Sequence, residues 1–489
     1  MKKKLLCFLT SAVMTATCIA GGLSELTSRI HLVIEPLTAE AVTYGEEMKY
    51  GDYLYYKTVD EDEDGTSDYV EISGCDTSVI EVEIPNEIDG LSVTNIGKDA
   101  FFNCSNLRCI TISDSVKSIG NTAFWDCQSL EKLIIANGSE TITTNMINGG
   151  MAMHIKEVII PDSVKSIESE AFYGCSYLKS VTISDSVASI ADDAFRKCTS
   201  LEQLIISNGS ETITAEMTNG MEPYIKEVII PDSVTSIENF AFSSCLNLES
   251  INVSGNNNYY CSIDGILFNK NKTALIQYPI GNEKTEYSVP NSVTSIGYEA
   301  FSRCENLSFI IIPDSVTNIE DYAFCRCTNL TSITIPDKVP SIGTSAFEYC
   351  ISLESITIPN SVTRIGYYAF SGCTSLADIT IENPDCTIHD SEYTISDTAT
   401  IYGYENSTAQ AYAENYNREF ISLGEKPAVI KGDANGDGKI TAADIILIQK
   451  YLVKIEIAFE VDFTVLDINE DGTFNVFDVI LLKRMIMNT

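Results

Sequence analysis

Basic residues are scarce in this chain. Of its 489 residues, 31 are Lys or Arg against 69 Asp or Glu, giving a net charge of −38. Phosphate recognition needs clustered Lys and Arg, so neither nucleic acid nor an anionic membrane surface fits as a partner. Histidine is scarcer, with only His31, His154 and His389. That leaves little material for a Ser/His triad or a His-bearing zinc site. The Gly-x-Ser-x-Gly elbow, the metalloprotease helix and the phosphate loop are all missing. Tryptophan occurs once, at Trp125, beside an expected core Phe, where it reads as packing rather than as a platform for a sugar ring. Beyond the first few dozen residues no apolar run is long enough to span a bilayer.

What is present begins with an export pattern. Lys2, Lys3 and Lys4 precede an apolar stretch from Leu5 to Ala20, and Ala39-Glu40-Ala41 offers a small-x-small cleavage site. Residues 1–41 are therefore expected to be a signal peptide, with an uncleaved anchor as the alternative. Residues 42–79, rich in Tyr, read as strand, exposed turn, strand, and so as a cap over the first turn of a repeat array. In the turn, Asp60, Asp62, Asp64, Gly65, Asp68 and Glu71 have the spacing of a calcium loop. Flanking strands and the lack of a following helix favour a solvated hairpin tip.

From there repetition dominates. The segment Ser292-Val-x2-Ile296-Gly-x2-Ala300-Phe301-x2-Cys304-x2-Leu307 recurs around Phe324, Phe347 and Phe370, every 23 residues. The same Ala-Phe-x2-Cys signature stands at Phe101, Phe124, Phe172, Phe195 and Phe242. A fixed period in the twenties means a solenoid with one supersecondary unit per turn. In each unit Leu-x2-Ile-x-Ile-Pro holds a short strand; Ile333 and Ile335 are expected inside, Ser332 and Thr334 outside. The Ala-Phe-x2-Cys segment is expected to be a compact helical or 3₁₀ turn with its Phe in the core. Two near-copies, around Leu133–Thr143 and Leu204–Thr214, have lost that signature. Between Phe242 and Phe301 an excess near 254–290 carries Asp264-Gly265 between apolar residues, a hairpin signal. Residues 382–424 are expected to close the array with further strand and a helix capped by Ser407, followed by a linker at 425–431.

This register resembles the BspA-like leucine-rich repeats of bacterial surface and secreted proteins, over residues 80–381. The resemblance implies protein or cell-surface binding, with plant-wall carbohydrate as a second possibility. Nine of the 16 cysteines occupy one repeat slot. Identical slots on successive turns lie about 4.8 Å apart, so disulfides are open by distance. The slot follows a core Phe, and Cys is among the most buried residue types, so a ladder of small buried thiols is the expectation. Outward strand positions are mostly small, with Phe309 and Ile311 as apolar exceptions.

The last stretch carries the strongest chemistry. Asp433, Asn435, Asp437, Thr441 and Asp444 stand at positions 1, 3, 5, 9 and 12 of one loop, and Asp467, Asn469, Asp471, Asn475 and Asp478 match them in a second. Gly438 and Gly472 take position 6. Calcium takes six to eight oxygens, and alternate residues of a tight loop can aim them inward. Lys439 and Thr473, at position 7, would give backbone carbonyls. Apolar helices are expected after each loop, Ile445–Leu452 and Val479–Met487.

Paired loops of this kind, with Asp at position 12 and only a following helix, resemble a dockerin over residues 432–489. The resemblance implies two Ca²⁺ ions, a scaffoldin cohesin as partner, and an extracellular, cellulosome-associated location. It implies contacts at Ala442, Ala443, Gln449, Lys450 and Lys454, and at Val476, Phe477, Lys483, Arg484 and Asn488. For Val476 and Phe477 internal packing is the competing reading, and for Lys483 and Arg484 plain solvation. The expected fold is mixed: a β-rich leucine-rich-repeat solenoid, then a small all-α calcium-binding module. The expected function is a secreted, non-catalytic cellulosome component acting in polysaccharide degradation. An enzyme hidden in the repeat insertions, or a calcium-dependent adhesin without a cohesin, are the alternatives.

Overall fold

The computed structural model describes residues 42–143, 150, 154–426, 430–434, 439–452 and 463–487. The expected signal segment, 1–41, lies outside them. Strand β1 (Leu54–Asp60) and strand β2 (Tyr69–Cys75) form an antiparallel hairpin. Strand β2 then pairs in parallel with Leu91–Ile96, so the hairpin supplies the first rung of the solenoid.

The solenoid is built from parallel ladders. The longest has eight strands and runs from Glu81–Glu83 to Ser250–Val253. Its register places Ile110, Leu133, Val158, Val181, Leu204, Val228 and Ile251 side by side, all fully buried. Successive β-branched or Leu side chains at one rung bury apolar area that no single turn could hide. Shorter two-residue strands such as Ser166–Ile167 and Ser189–Ile190 form a second ladder. At Ser332–Ile333 the alternation is as expected, with Ile333 and Ile335 buried and Ser332 and Thr334 exposed.

The Ala-Phe-x2-Cys segments are tight turns. Cys104 N–H donates to the Phe101 carbonyl at 3.1 Å and Leu107 N–H to that of Cys104 at 3.0 Å. Most of these turns also hydrogen-bond to the next, as Phe101 N–H does to the Ala123 carbonyl at 2.8 Å. The core rings stack: Phe301–Phe324, Phe324–Phe347 and Phe347–Phe370 have centroids 5.2, 5.1 and 5.4 Å apart. The chain stores left-handed backbone here without glycine: φ is +54° at Glu299, +59° at Tyr322 and +55° at Tyr368.

All 14 cysteines from Cys75 to Cys386 are free thiols. The repeat-slot thiols are buried, and most donate across the turns. Cys127 Sγ reaches the Phe101 carbonyl at 3.0 Å, Cys327 that of Phe301 at 3.0 Å, and Cys373 that of Phe347 at 3.1 Å. The slot therefore selects a side chain that is small, apolar and able to donate one hydrogen bond. Burial pushes the Cys245, Cys373 and Cys386 thiols up to about 12, far from thiolate reactivity.

The signature-less unit at 204–214 still fills its slot: a 3₁₀ turn, Ala215–Thr218, buries Met217, and Met221 follows it inside. In the first near-copy the corresponding residues 144–149 and 151–153 lie outside the described residues. The Asp264-Gly265 hairpin forms between Tyr260–Ile263 and Ile266–Asn269, with φ of +51° and +79°. Buried Asn257 fixes its entrance: Nδ2 donates to the Pro231 and Val234 carbonyls, and Oδ1 accepts from Tyr259 and Tyr260 N–H. A third strand, Ala274–Gln277, pairs with the hairpin and, in parallel, with Ser295–Ile296. Tyr278 then takes the place of a core Phe, 5.4 Å from Phe301. The long ladder stops at Ser250–Val253, and the buried core divides into two clusters at this point.

Helix α1 (Thr408–Asn415) begins at Ser407, whose Oγ accepts from Gln410 N–H. Its Ala409, Tyr412 and Ala413 cover the last apolar turn. A strand not expected from the sequence, Phe420–Glu425, pairs in parallel with Thr400–Glu405. Helices α2 (Ala442–Leu452), α3 (Phe463–Leu466) and α4 (Val476–Met487) make up the C-terminal module. Among the described residues no helix is long and apolar enough to cross a membrane.

Candidate metal loops and docking face

Helices α2 and α4 each begin three residues earlier than the apolar pattern suggested, at loop position 10. The reason is capping. Thr441 and Asn475 stand just before the helices, and Asp444 and Asp478 fall three residues further on, the spacing of a capping box. Asp478 is fully buried. Its Oδ2 accepts from Asn475 N–H at 2.8 Å, and its Oδ1 accepts from Ile468 N–H at 2.9 Å and Asn469 N–H at 3.3 Å. Asp444, also fully buried, repeats the arrangement: Oδ2 accepts from Thr441 N–H at 2.7 Å and Oδ1 from Ala434 N–H at 2.9 Å. One carboxylate thus closes each loop from position 2 to position 9.

The second loop is described in full. Asp467 Oδ2 accepts from Gly472 N–H at 2.8 Å, Asn469 Oδ1 from Asp471 N–H at 3.0 Å, and Asp471 Oδ1 from Thr473 N–H at 2.9 Å. Hydrogen bonds from Thr473 and Asn469 hold the Asp471 carboxyl below its usual range. Glu470 and Gly472 take positive φ, +59° and +81°, which turns the chain sharply at these two positions. The loop holds Asp467, Asn469, Asp471, Thr473, Asn475 and Asp478, an oxygen-donor set that suits Ca²⁺ and not a thiol- or imidazole-seeking metal, but Asn475 Oδ1 accepts from Phe477 N–H at 2.9 Å and the three carboxylates do not converge on one point. In the first loop Asp433, Lys439, Thr441 and Asp444 are described, while Asn435 and Asp437 lie outside the described residues. Asp433 is buried and Lys439 exposed. Lys431 pairs with Glu470, joining the start of one loop to the other.

Under the loops, the core among the described residues is formed by Ala434, Ile448, Leu466, Val479 and Leu482. On the outside α2 and α4 form an open groove of about 520 Å³, lined by Ile446, Gln449, Lys450, Val476, Val479, Ile480 and Lys483. Four expected contacts, Gln449, Lys450, Val476 and Lys483, line it. Ala442, Ala443, Phe477 and Arg484 are exposed beside it. Lys454 and Asn488 lie outside the described residues. Val476 and Phe477 are 57 % and 65 % exposed, so internal packing does not account for them. Ile446 and Ile480, 53 % and 43 % exposed, were not expected at the surface. Each sits in a run of four apolar residues, Ile445–Ile448 and Val479–Leu482. At 100° per residue such a run wraps a helix and must leave one side chain outside.

These geometries agree with the family comparisons. The model of the BspA type leucine rich repeat region matches residues 73–151, 149–274 and 281–400, in 6 copies. The chain belongs to the BspA-type leucine-rich repeat proteins. Its C-terminal residues 431–487 match the dockerin type I domain, a domain type that binds calcium. Among solved structures, a leucine rich cell surface protein from Faecalibacterium prausnitzii is 30 % identical, covering 75 % of this chain and 97 % of its own, with a TM-score of 0.43. The pneumococcal vaccine antigen PcpA is 19 % identical over 77 % of this chain and 98 % of its own, TM-score 0.40. A leucine-rich repeat protein from Bacteroides ovatus is 25 % identical over 73 % and 100 %, TM-score 0.33. No curated protein matches the chain.

On the BspA-type solenoid one expectation is corrected. Trp125 is 49 % exposed, not packed, and Phe102 and Tyr173, which hold the same place after their core Phe, are 51 % and 38 % exposed. At these three turns the Phe lies inside and the next residue faces out, whereas Ser302 and Cys325 at the same place are buried. Tyr259 is exposed and Tyr260 half-buried. Phe309 and Ile311 are exposed apolar strand residues, as read from the alternation.

Proposed function

We propose that this chain is an exported, non-catalytic component of a cellulosome, held on a scaffoldin cohesin by its dockerin when calcium fills both loops. The observation that carries the reading is the groove between α2 and α4. It puts three exposed apolar side chains, Ile446, Val476 and Ile480, between Gln449, Lys450 and Lys483, an apolar centre with a polar rim. In this reading the metal ligands are Asp433, Asn435, Asp437, Lys439 (carbonyl), Thr441 and Asp444, with Asp467, Asn469, Asp471, Thr473 (carbonyl), Asn475 and Asp478. When bound, each ion would offset two of the three negative charges that its loop's ligand carboxylates carry. The chain's own residues do the rest: Asp444 and Asp478 cap the helices and fix their angle, and the groove presents the contact. The test is capture of the full-length chain on immobilised cohesin. Binding is expected in calcium, loss in chelator, and a drop of at least 100-fold in Ile480→Asp with helicity retained. No capture by any cohesin in calcium would sink the reading.

The repeats present the surface that does the chain's own work. Phe102, Trp125 and Tyr173, outward on the turn face, support a polysaccharide as one target, since exposed rings stack on pyranose faces. Retention on insoluble plant-wall glycan, reduced by Trp125→Ala, is the expected result. Unchanged retention in that variant leaves protein recognition as the better reading.

A further inference from the structure

The hairpin loop between β1 and β2 is the motif that docking leaves unused. We propose that Asp60–Asp68 is a third calcium-type cation site, carried by the N-terminal cap of the solenoid and independent of the dockerin. Oxygens of Asp60, Asp62 and Asp68 lie within 4.8 Å of one another, close enough to share one ion. Asp60 Oδ1 is sealed from solvent and has no hydrogen-bond partner. A buried carboxylate oxygen left unpaired costs free energy unless something binds it, and a cation is the ligand an anion's lone pair takes.

The dockerin's second loop gives the measure of what this loop is built for. Asp60 Oδ2 accepts from Gly65 N–H at 2.9 Å, as Asp467 Oδ2 does from Gly472 at 2.8 Å. Asp62 Oδ1 accepts from Asp64 N–H at 3.2 Å, as Asn469 does from Asp471 at 3.0 Å. Asp64 Oδ1 accepts from Thr66 N–H at 2.7 Å, as Asp471 does from Thr473 at 2.9 Å. Positive φ falls at the same two places, +59° at Glu63 and +89° at Gly65 against +59° and +81°. The two loops diverge after position 9. Asp68 Oδ2 accepts from Glu61 N–H at 2.8 Å, and strand β2 comes next instead of a helix. Glu71, at position 12, leaves the loop: its carboxylate lies against the backbone at Gly97 and bonds Asn95.

A site without the closing carboxylate keeps more water on the ion. Calcium tolerates that, because its coordination is large and irregular, whereas Mg²⁺ demands near-ideal octahedral geometry. The expected affinity is that of weak extracellular modules, about 10⁻⁴–10⁻³ M. Six acidic side chains stand between residues 60 and 68 with no Lys or Arg among them, so occupancy also relieves their mutual repulsion.

Equilibrium dialysis of the full-length chain against radioactive calcium at millimolar concentration tests the site. Asp62→Asn/Asp64→Asn changes exposed residues and is expected to remove one bound ion per chain. Asp467→Asn/Asp471→Asn, which damages a dockerin loop, is expected to keep the hairpin's ion. Terbium luminescence sensitised by Tyr69 gives a second reading, present in the dockerin variant and lost in the hairpin variant. Equal stoichiometry and equal luminescence in wild type and Asp62→Asn/Asp64→Asn would overturn the proposal, and would leave the docking reading untouched.

Discussion

The repeat turns of the solenoid and the loops of the dockerin both bend the chain sharply, but with opposite materials. A solenoid turn closes on stacked Phe rings and on thiols such as Cys350 Sγ, which donates to the Phe324 carbonyl at 3.2 Å. A dockerin loop closes on a buried carboxylate that gathers backbone N–H groups, as Asp478 does. The first device gains from every further turn, because each neighbour buries the same apolar rung. The second concentrates negative charge over a core that, among the described residues, centres on Ala434, Ile448, Leu466, Val479 and Leu482. Stability in the solenoid is internal; in the proposed reading that of the dockerin is linked to an ion in solution.

Removing calcium breaks the comparison most severely. If calcium fills the loops as proposed, free calcium at 1,000 times Kd stabilises the module by about 4 kcal/mol per site. Chelation is expected to abolish the helical circular dichroism and melting transition of the dockerin while the solenoid's transition stays in place. Next in size is Phe324→Ala, which empties the middle of the ring stack. It should destabilise the solenoid by about 3–5 kcal/mol in chemical denaturation, with cohesin affinity unchanged. Cys350→Ala removes one buried donor and a sulfur atom. A loss of about 1–2 kcal/mol is expected, and in the native wild type this thiol should resist alkylation.

Glu299 offers the finest test. Burial raises its carboxyl to about 7. A carboxyl raised on folding favours the protonated native state, so its contribution is intact below the unfolded value and is lost as pH climbs through the window up to about 7. Glu299→Gln should therefore leave the melting temperature unchanged at pH 4 and raise it at pH 8. The gain should be about 1 kcal/mol, because the group is partly exposed and screened.

Much of the architecture is legible in the sequence because it is repeated. The 23-residue period locates the ladders, and Ile333 and Ile335 alternate inward as their pattern says. The calcium-loop spacing falls on the tight turn at Asp467–Asp478. Other features leave no local mark. Positive φ at Glu299, Tyr322 and Tyr368 is imposed by the packing of adjacent turns, where a sequence reader looks for Gly or Asn. Trp125 misleads because the place after a core Phe is buried in some turns, at Ser302 and Cys325, and exposed in others. Helices α2 and α4 begin early because Asp444 and Asp478 serve as both loop closure and capping group. Ile446 and Ile480 escape notice as groove residues because an unbroken apolar run hides which member faces out.

The hairpin at Tyr260–Asn269 has a consequence for how the molecule comes apart. In a repeat array cooperativity passes only between neighbours, and here the longest strand ladder ends while Phe242 and Tyr278 fail to continue one ring stack. The two core clusters on either side, which meet at Ile266, Leu267 and Phe268, are therefore expected to act as separate cooperative units. Pulled from its ends, or warmed slowly, the solenoid should yield in two steps rather than one, each half melting as a block.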